Sequence, residues 1–481
     1  MCKVDLYRKK RLHINSIDHG RSLPSTFCFE TLTKIIKPQL IAGALTQAGR
    51  HEKRVRRLPA AAVVWLVIAI GLFSDQDQTS IWRQVVGTLT ALFQAMGNIK
   101  LVTRGAISRA RKRLGARAMY LLFQAVSNPV GTNKTIGAFY REHRLMAIDG
   151  DTYHLPDTPA NAKAFGRTAG QRFGQIARSA YPQAKIIRLI ETGTHVTTAA
   201  FIKPANASEH PSAMALLRRV PENSIVMEDR GIYSFALVKQ ASKHNIYLLN
   251  RISTRLILEP IRMLSDDSTL VTIYATTHDR EQKRNGIIVR IIRYTIEDPD
   301  RPGHRIEHKL MTTLLDEKKY PAMELIVLYH QRWEIEIAND EITTHQLNRK
   351  VELRSLTPAG VVQELYGILL AHNAIRMLMH EAAQRVEIDP RRLSFIGSVR
   401  VIRDSIKIMR NATVEQLPIL YRALVMQISD CRLPKRENRI NPRVVKVKMS
   451  PYLKKRPHDI GVKVKTFSEV VRMLNTTTNL H

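Results

Sequence analysis

The stretch LYHQRWEIEIANDE, residues 328–341, brings carboxylates, an arginine and a tyrosine into one short run. On a helix turning ~100° per residue, Tyr329, Arg332 and Glu336 stand at i, i+3 and i+7 and share one narrow stripe. Glu334 points almost the opposite way, and Asp340 returns to the stripe one turn beyond Glu336. The run leading in, YPAMELIVLYHQRWEIEIANDEI, opens with Pro321 at a plausible first helical position and reads as one helix through Glu336. Such a helix is either a solvated surface or one wall of a catalytic site. The chain upstream decides between them.

From residue 144 onward, strand-like and helix-like segments alternate. RLMAIDG is a short apolar strand ending at Asp149 and Gly150, and AKIIRLIETGTHVTTAAFI reads as two alternating strands around Thr192 and Gly193. EHPSAMALLRRV is helical, NSIVMEDRGIYS is a strand that ends on Asp229 and Gly231, SFALVKQASKHN is helical, and IYLLNRI is a further strand. This order predicts a mixed α/β sheet with helices packed on it. In open α/β sheets the ligand crevice lies beyond the carboxyl ends of the strands. Asp149 and Asp229 sit at such ends, each near a glycine that lets a ligand approach the backbone. Glu228, one residue before Asp229, should face the other side of the sheet. Residues 252–318 contain the β-like segments TRLILEPI, TLVTIYATT, GIIVRIIRYTI and EHKLMTTLL. They read as a β insertion, because a structureless loop of that length does not suit a compact domain.

Residues 25–130 read as helices. The most apolar run, LPAAAVVWLVIAIGLF at 58–73, is shorter than the ~20 residues of a spanning helix and predicts a buried core helix, with no membrane partner. TSIWRQVVGTLTALFQAMG follows, with Ser80 resembling an N-cap. In TRGAISRARKRLGARAMYLLF, Ile107, Leu114 and Ala118 can face inward while Arg104, Arg109, Arg111, Lys112, Arg113 and Arg117 face outward. That basic face either follows DNA phosphates or is merely solvated.

Charge points to the partner. The 481 residues carry 75 Lys+Arg against 42 Asp+Glu, a net +33, which suits double-stranded DNA. Residues 1–142 hold 23 basic and 7 acidic side chains, and residues 432–481 hold 13 and 3, so both ends are basic arms. The chain divides on this reading into a helical, basic, DNA-binding N-terminal domain (1–142), the first part of a catalytic core (143–251), the β insertion (252–318), the last part of the core with following helices (319–431), and a basic tail (432–481). Three cysteines, Cys2, Cys28 and Cys431, are too few and too scattered for a disulfide framework or a zinc site. No apolar leader opens the chain. A cytoplasmic, nucleoid-associated protein is expected.

With Asp149 and Asp229 at strand ends and Glu336 on a helix able to lie across them, the oxygen-only donors suit Mg²⁺ or Mn²⁺. Two such ions, about 3.5–4 Å apart, clamp the attacking and leaving oxygens of a phosphodiester. Arg230, next to Asp229, either neutralises phosphate or pairs with Glu228. Trp333 reads as core packing rather than a base-stacking platform.

IDG, EDRGIYS and YHQRWEIE, in this order and on these element types, resemble the DDE transposases of the bacterial insertion-sequence-four family. RLPAAAVVWLVIAI and LNRKVELRSLTPAGVVQELYGILLAHNAIR are also similar to family members, and the resemblance covers roughly residues 25–455. It implies a ribonuclease H-like catalytic core with a β-strand insertion and a helical N-terminal domain. Asp149, Asp229 and Glu336 would bind two metal ions and carry catalysis, and Tyr329 and Arg332 would contact phosphates at the transposon end. The family's Y-(2)-R-(3)-E-(6)-K pattern fits until its last position, where Thr343 replaces the lysine and Lys350 is a candidate substitute. The implied activity is cleavage at terminal inverted repeats, through a hairpin, and strand transfer into target DNA by a homodimer in a synaptic complex. The rival readings are a catalytically inactive DNA-binding remnant or repressor, and a non-transposing ribonuclease H-like nuclease.

Overall fold

The computed structural model describes residues 32–50, 58–84, 102–172, 175–229, 231–253, 256, 258–298, 304–348, 353–409, 412–413, 415–434, 444–445, 453–454 and 466–474. The chain forms two compact units, one of residues 1–137, 150–207 and 337–432, the other of residues 138–149, 208–336 and 433–481.

In the first unit the apolar run becomes the helix Ala60–Leu72, in which every residue from Ala62 to Leu72 is buried. A helix apolar all round belongs in a core. No helix among the described residues is long and apolar enough to cross a membrane. It packs against the long helix Pro358–Arg385, which starts where the Thr357 hydroxyl accepts the N–H of Gly360. The two backbones approach closely: a Cβ at Gly367 would lie 2.6 Å from the Val67 carbonyl oxygen, and one at Gly71 would lie 2.9 Å from Ile368 Cα. The helix Arg104–Val126 begins with Thr103 accepting from Ala106 N–H and is interrupted at Gly115, whose φ of 70° is left-handed. Ser80 is not a cap. Residues 78–84 are already helical, and the Asp77 carboxylate accepts from the N–H groups of Thr79 (2.9 Å) and Ser80 (3.3 Å).

The predicted hairpin forms from Gln183–Glu191 and Thr197–Pro204, with a register shift between Leu189 and Ile190. Its turn is buried: Thr192, Thr194 and His195 are no more than 1% exposed. That burial needs partners. Glu341 supplies one carboxylate oxygen to His195 Nδ1 (3.2 Å) and Arg376 Nη1 (3.4 Å), and the other to His372 Nε2 (3.1 Å). Burial works to raise the Glu341 carboxyl, but Arg376 and the two histidines hold it well below the usual carboxylate range. Burial lowers the His372 imidazole to about 4, against the pull of Glu341.

The second unit is built on one sheet. Its long strands are β1 (His143–His154), β2 (Ser224–Glu228), β3 (Tyr247–Arg251), β4 (Glu259–Met263), β5 (Thr269–Ile273), β6 (Ile287–Ile296) and β7 (His308–Thr312). Beyond Asp149, β1 runs on into the first unit. Strands β1, β2 and β3 are parallel neighbours, connected through the helices His210–Leu217 and Phe235–Lys243. β7 then pairs antiparallel with β3, and β6, β5 and β4 follow as an antiparallel meander. Parallel β1, β2 and β3 with their connecting helices are those of a ribonuclease H-like mixed sheet. The insertion is a continuation of that sheet rather than a separate module. Three of its four predicted strands stand where the pattern puts them. The first is displaced to Glu259–Met263, an edge strand exposed along most of its length.

Two predictions follow from the first unit. Gly367→Ala forces the facing helices apart and should destabilise the protein by about 1–3 kcal/mol, read as a lower denaturant midpoint. Acidification should weaken it as well. The folded His372 resists a proton that the unfolded chain takes up below its ordinary value of 6.5, so stability falls from pH 6.5 toward about 4. His372→Gln should flatten that slope by up to ~1.4 kcal/mol per pH unit.

Candidate active site

The parallel register between β1 and β2 sets Ile148 opposite Glu228. One residue further, Asp149 continues β1 while Asp229 follows directly after the end of β2. Ile148 and Glu228 are fully buried. Burial raises the Glu228 carboxyl to about 8, opposed by Asn250, whose Nδ2 donates to Glu228 Oε2 at 3.0 Å. Asn250 gives one sign in the sequence, a polar residue at a buried position of the strand YLLNR. Asp229 is exposed and Asp149 half-buried, so both remain open to solvent ions.

The predicted single helix is two. Ala322–His330 ends, Gln331 and Arg332 form a turn, and Trp333–Asp340 resumes. Across this junction the backbone bonds run to the third residue back: Arg332 to Tyr329, Glu334 to Gln331 and Ile335 to Arg332, each at 3.0 Å. Such tightening turns the chain ~120° per residue instead of ~100°. Trp333, placed in the core by the sequence pattern, is instead 51% exposed. Tyr329 is buried and donates its hydroxyl to the Glu228 carbonyl at 3.1 Å, which fastens the helix beside Asp229. Burial raises that hydroxyl's pKa well above its ordinary value.

Arg332 joins the parts. Its Nη2 pairs with Glu336 Oε1 at 3.0 Å. Burial opposes its charge, yet Tyr329, Asp229 and Glu336 together raise its pKa. One guanidinium therefore answers to an acid from the sheet and an acid from the helix. Among the described residues no three acidic, histidine or cysteine side chains stand close enough to enclose a metal ion, and Glu336 is held by Arg332. Thr343 lies in the π-helical turn Glu341–Gln346, where its hydroxyl donates to the Asn339 carbonyl at 2.9 Å. Arg230 and Lys350 lie outside the described residues.

On the basic helix, Arg104, Arg109, Lys112, Arg113 and Arg117 are exposed. Arg111 is not: it is 8% exposed, with Nε donating to Gln363 Oε1 (2.8 Å), Nη2 donating to Ser355 Oγ (2.8 Å), and Glu364 nearby at 3.8 Å. It lies beside Ala110 on the arc that packs inward, not on the solvent face the helical wheel predicts. It neutralises a buried glutamate and is not a phosphate contact.

The sequence matches two family models. One, insertion element 4 transposase N-terminal, covers residues 27–124. The other, transposase DDE domain, covers residues 140–374 and so includes both strand-end aspartates and Glu336. The transposase InsG for insertion sequence element IS4 of Escherichia coli (strain K12) is 30% identical over 423 residues, which is 86% of this chain and 91% of that protein. A cryo-EM structure of the piggyBac transposase synaptic complex with hairpin DNA is 10% identical, covering 84% of this chain and 86% of that one at a TM-score of 0.40. Likeness to InsG runs through the helical region and the sheet alike rather than stopping at either, and the chain therefore belongs to the insertion element 4 family of DDE transposases.

Proposed function

We propose that Asp149, Asp229 and Glu336 are the catalytic acids of this insertion-sequence transposase and that they hold two Mg²⁺ or Mn²⁺ ions. The observation that supports the reading is the pairing of β1 with β2 up to Ile148 and Glu228, the residues just before Asp149 and Asp229, together with Arg332, which pairs with Glu336 and feels the charge of Asp229. A DDE transposase acts on DNA and depends on divalent metal. The donor set fits hard cations, because all three groups are carboxylates and none is shut away from water. Bound there, the cations supply positive charge against the charge developing on the phosphate. Glu336, with a side chain 38% exposed, has room to turn from Arg332 toward the aspartates.

The chain's own groups then divide the work. Arg332 holds a phosphate oxygen at the transposon end. Tyr329, its hydroxyl on the Glu228 carbonyl, orients the helix. Water attacks phosphorus and a 3′-hydroxyl leaves. That hydroxyl attacks the opposite strand to close a hairpin, water reopens it, and the freed 3′-hydroxyl attacks target DNA. Residues 1–142 recognise the terminal inverted repeats, chiefly through Arg109, Lys112, Arg113 and Arg117, with the basic tail and Arg230 assisting. Two protomers pair two ends in one synaptic complex.

Asp149→Asn, Asp229→Asn and Glu336→Gln should each lower Mg²⁺-dependent nicking of end-bearing DNA by at least ~100-fold, with DNA affinity kept. Nicking by any of them at the wild-type rate removes that residue from the site. A protein that binds ends but never nicks in Mn²⁺ is the inactive remnant, and one that nicks without joining ends is a plain nuclease. The basic helix makes a separate prediction. Lys112→Ala or Arg117→Ala should lower the slope of log affinity against log salt by about 1 each. Arg111→Ala should leave the slope alone and cost about 3 kcal/mol or more of stability, since Glu364 is then buried without its partner.

A further inference from the structure

Arg290 lies in the middle of β6, between Val289 and Ile291, and none of its side chain reaches solvent. A guanidinium in an apolar strand must have its donors answered locally. Nε donates to Ser268 Oγ at 2.7 Å, Nη1 to the Tyr320 carbonyl at 2.6 Å, and Nη2 to Asp266 Oδ2. The Ser268 hydroxyl in turn donates to Asp266 Oδ1. These partners come from the β4–β5 turn and from Tyr320, just before the helix Ala322–His330.

The Asp266 carboxylate has a second duty. Its Oδ2 also accepts the backbone N–H of Ala322 at 2.8 Å, the first residue of the helix Ala322–His330. A helix start leaves backbone N–H groups open, and a side chain just before it usually answers one of them. Here the preceding residue is Pro321, whose side chain has no acceptor to offer, and no local side chain caps the helix. The cap comes from the insertion, where its negative charge also suits the helix dipole. The other end of the same helix is fastened by Tyr329 to the Glu228 carbonyl, one residue before Asp229.

The insertion as a whole is not charged for gripping DNA. Residues 252–318 contain 11 basic and 11 acidic side chains in a chain of net charge +33. Many of those charges meet one another: Arg284 with Asp279, Arg293 with Glu307, Arg290 with Asp266. Buried ion pairs contribute little net stability compared with apolar packing but fix geometry well.

We propose that Asp266 and Arg290 are positioning residues for strand cleavage: the insertion sets the start of the helix Ala322–His330, and that helix leads through the turn at Gln331 and Arg332 into the helix carrying Glu336, so it sets the direction in which both Arg332 and Glu336 are presented to Asp229. The proposal rests on reading Glu336 as a catalytic acid. It is tested in the full-length protein with Asp266→Ala, Asp266→Asn, Arg290→Met and Arg290→Lys.

Without metal or DNA, Asp266→Ala should speed amide hydrogen exchange in residues 322–325 about 10-fold or more while β2 stays protected. With end-bearing DNA, Asp266→Ala and Arg290→Met should lower the single-turnover nicking rate about 10–100-fold at unchanged DNA affinity, and raise the Mg²⁺ concentration for half-maximal rate. Asp266→Asn, which keeps an acceptor for Ala322, and Arg290→Lys should recover part of the rate and cover the case in which the harsher variants fail to fold. Wild-type nicking with wild-type Mg²⁺ dependence in Asp266→Ala overturns the proposal. So does a rate that falls only with the folded fraction, with exchange faster in β2 and the helix alike. Full activity in Glu336→Gln sinks the site reading alone, whereas unchanged exchange in Asp266→Ala sinks the clamp even where Glu336→Gln is dead.

Discussion

Parallel pairing of β1 with β2, with Ile148 across from Glu228, is the constraint on which the rest of the site depends. Side chains alternate along a strand, so a slip of one residue in either partner sends its aspartate to the packed face and brings its neighbour to the open one. The register is protected by what it buries. Leu145, Met146, Ala147 and Ile148 on one strand, and Ile225, Val226 and Met227 on the other, are all within 1% of complete burial. Glu228 is the cost of this arrangement, a fully buried acid one residue from Asp229, tolerated because Asn250 answers one of its oxygens.

Charge is partitioned along the same lines. The exposed arginines and lysine of Arg104–Val126 sit on a helix whose opposite side is core, while Arg111 serves that core. The insertion adds strands to the sheet and contributes no net charge. A protein of +33 thus confines its phosphate-attracting surface to particular stretches and keeps the second unit's sheet largely self-neutralised. This arrangement lets long-range attraction draw in DNA without every surface competing for it.

Much of this was legible in the residues. The uniform apolarity of residues 58–73, the alternation in the hairpin and the acids at strand ends each follow one local rule, and local rules survive folding. The failures have a common cause. Arg111, Ser80 and Trp333 were assigned from an ideal helical wheel or a single-residue preference. The structure departs from that ideal where tertiary contacts intervene: Asp77 captures the helix start, Glu364 needs a buried cation, and the backbone tightens at Gln331–Arg332. The Asp266–Arg290 contact to Ala322 was out of reach for another reason, since it joins residues 56 apart and nothing in their spacing marks the pairing. Its one trace was an arginine inside IIVRIIRYTI, a charge that no apolar strand accepts without a partner.

On the proposed reading of the site, Arg332 is the group that would let acids gather at the sheet end before DNA arrives. Two carboxylates ~5 Å apart repel by roughly 3 kcal/mol at an effective dielectric constant near 20. The Arg332 guanidinium pairs with Glu336, and the charge of Asp229 also favours its charged form. The same geometry makes the arrangement responsive. A phosphate is a better match for the guanidinium fork than a single carboxylate oxygen, because it offers several anionic oxygens in bidentate reach. On the proposed reading, a phosphate that took Arg332 would leave Glu336 without that partner, and a divalent cation would then hold it with Asp229. On that reading, DNA binding and metal binding would be coupled through Arg332. Asp266 and Tyr329 hold the two ends of the helix Ala322–His330, which leads directly into the turn that carries Arg332.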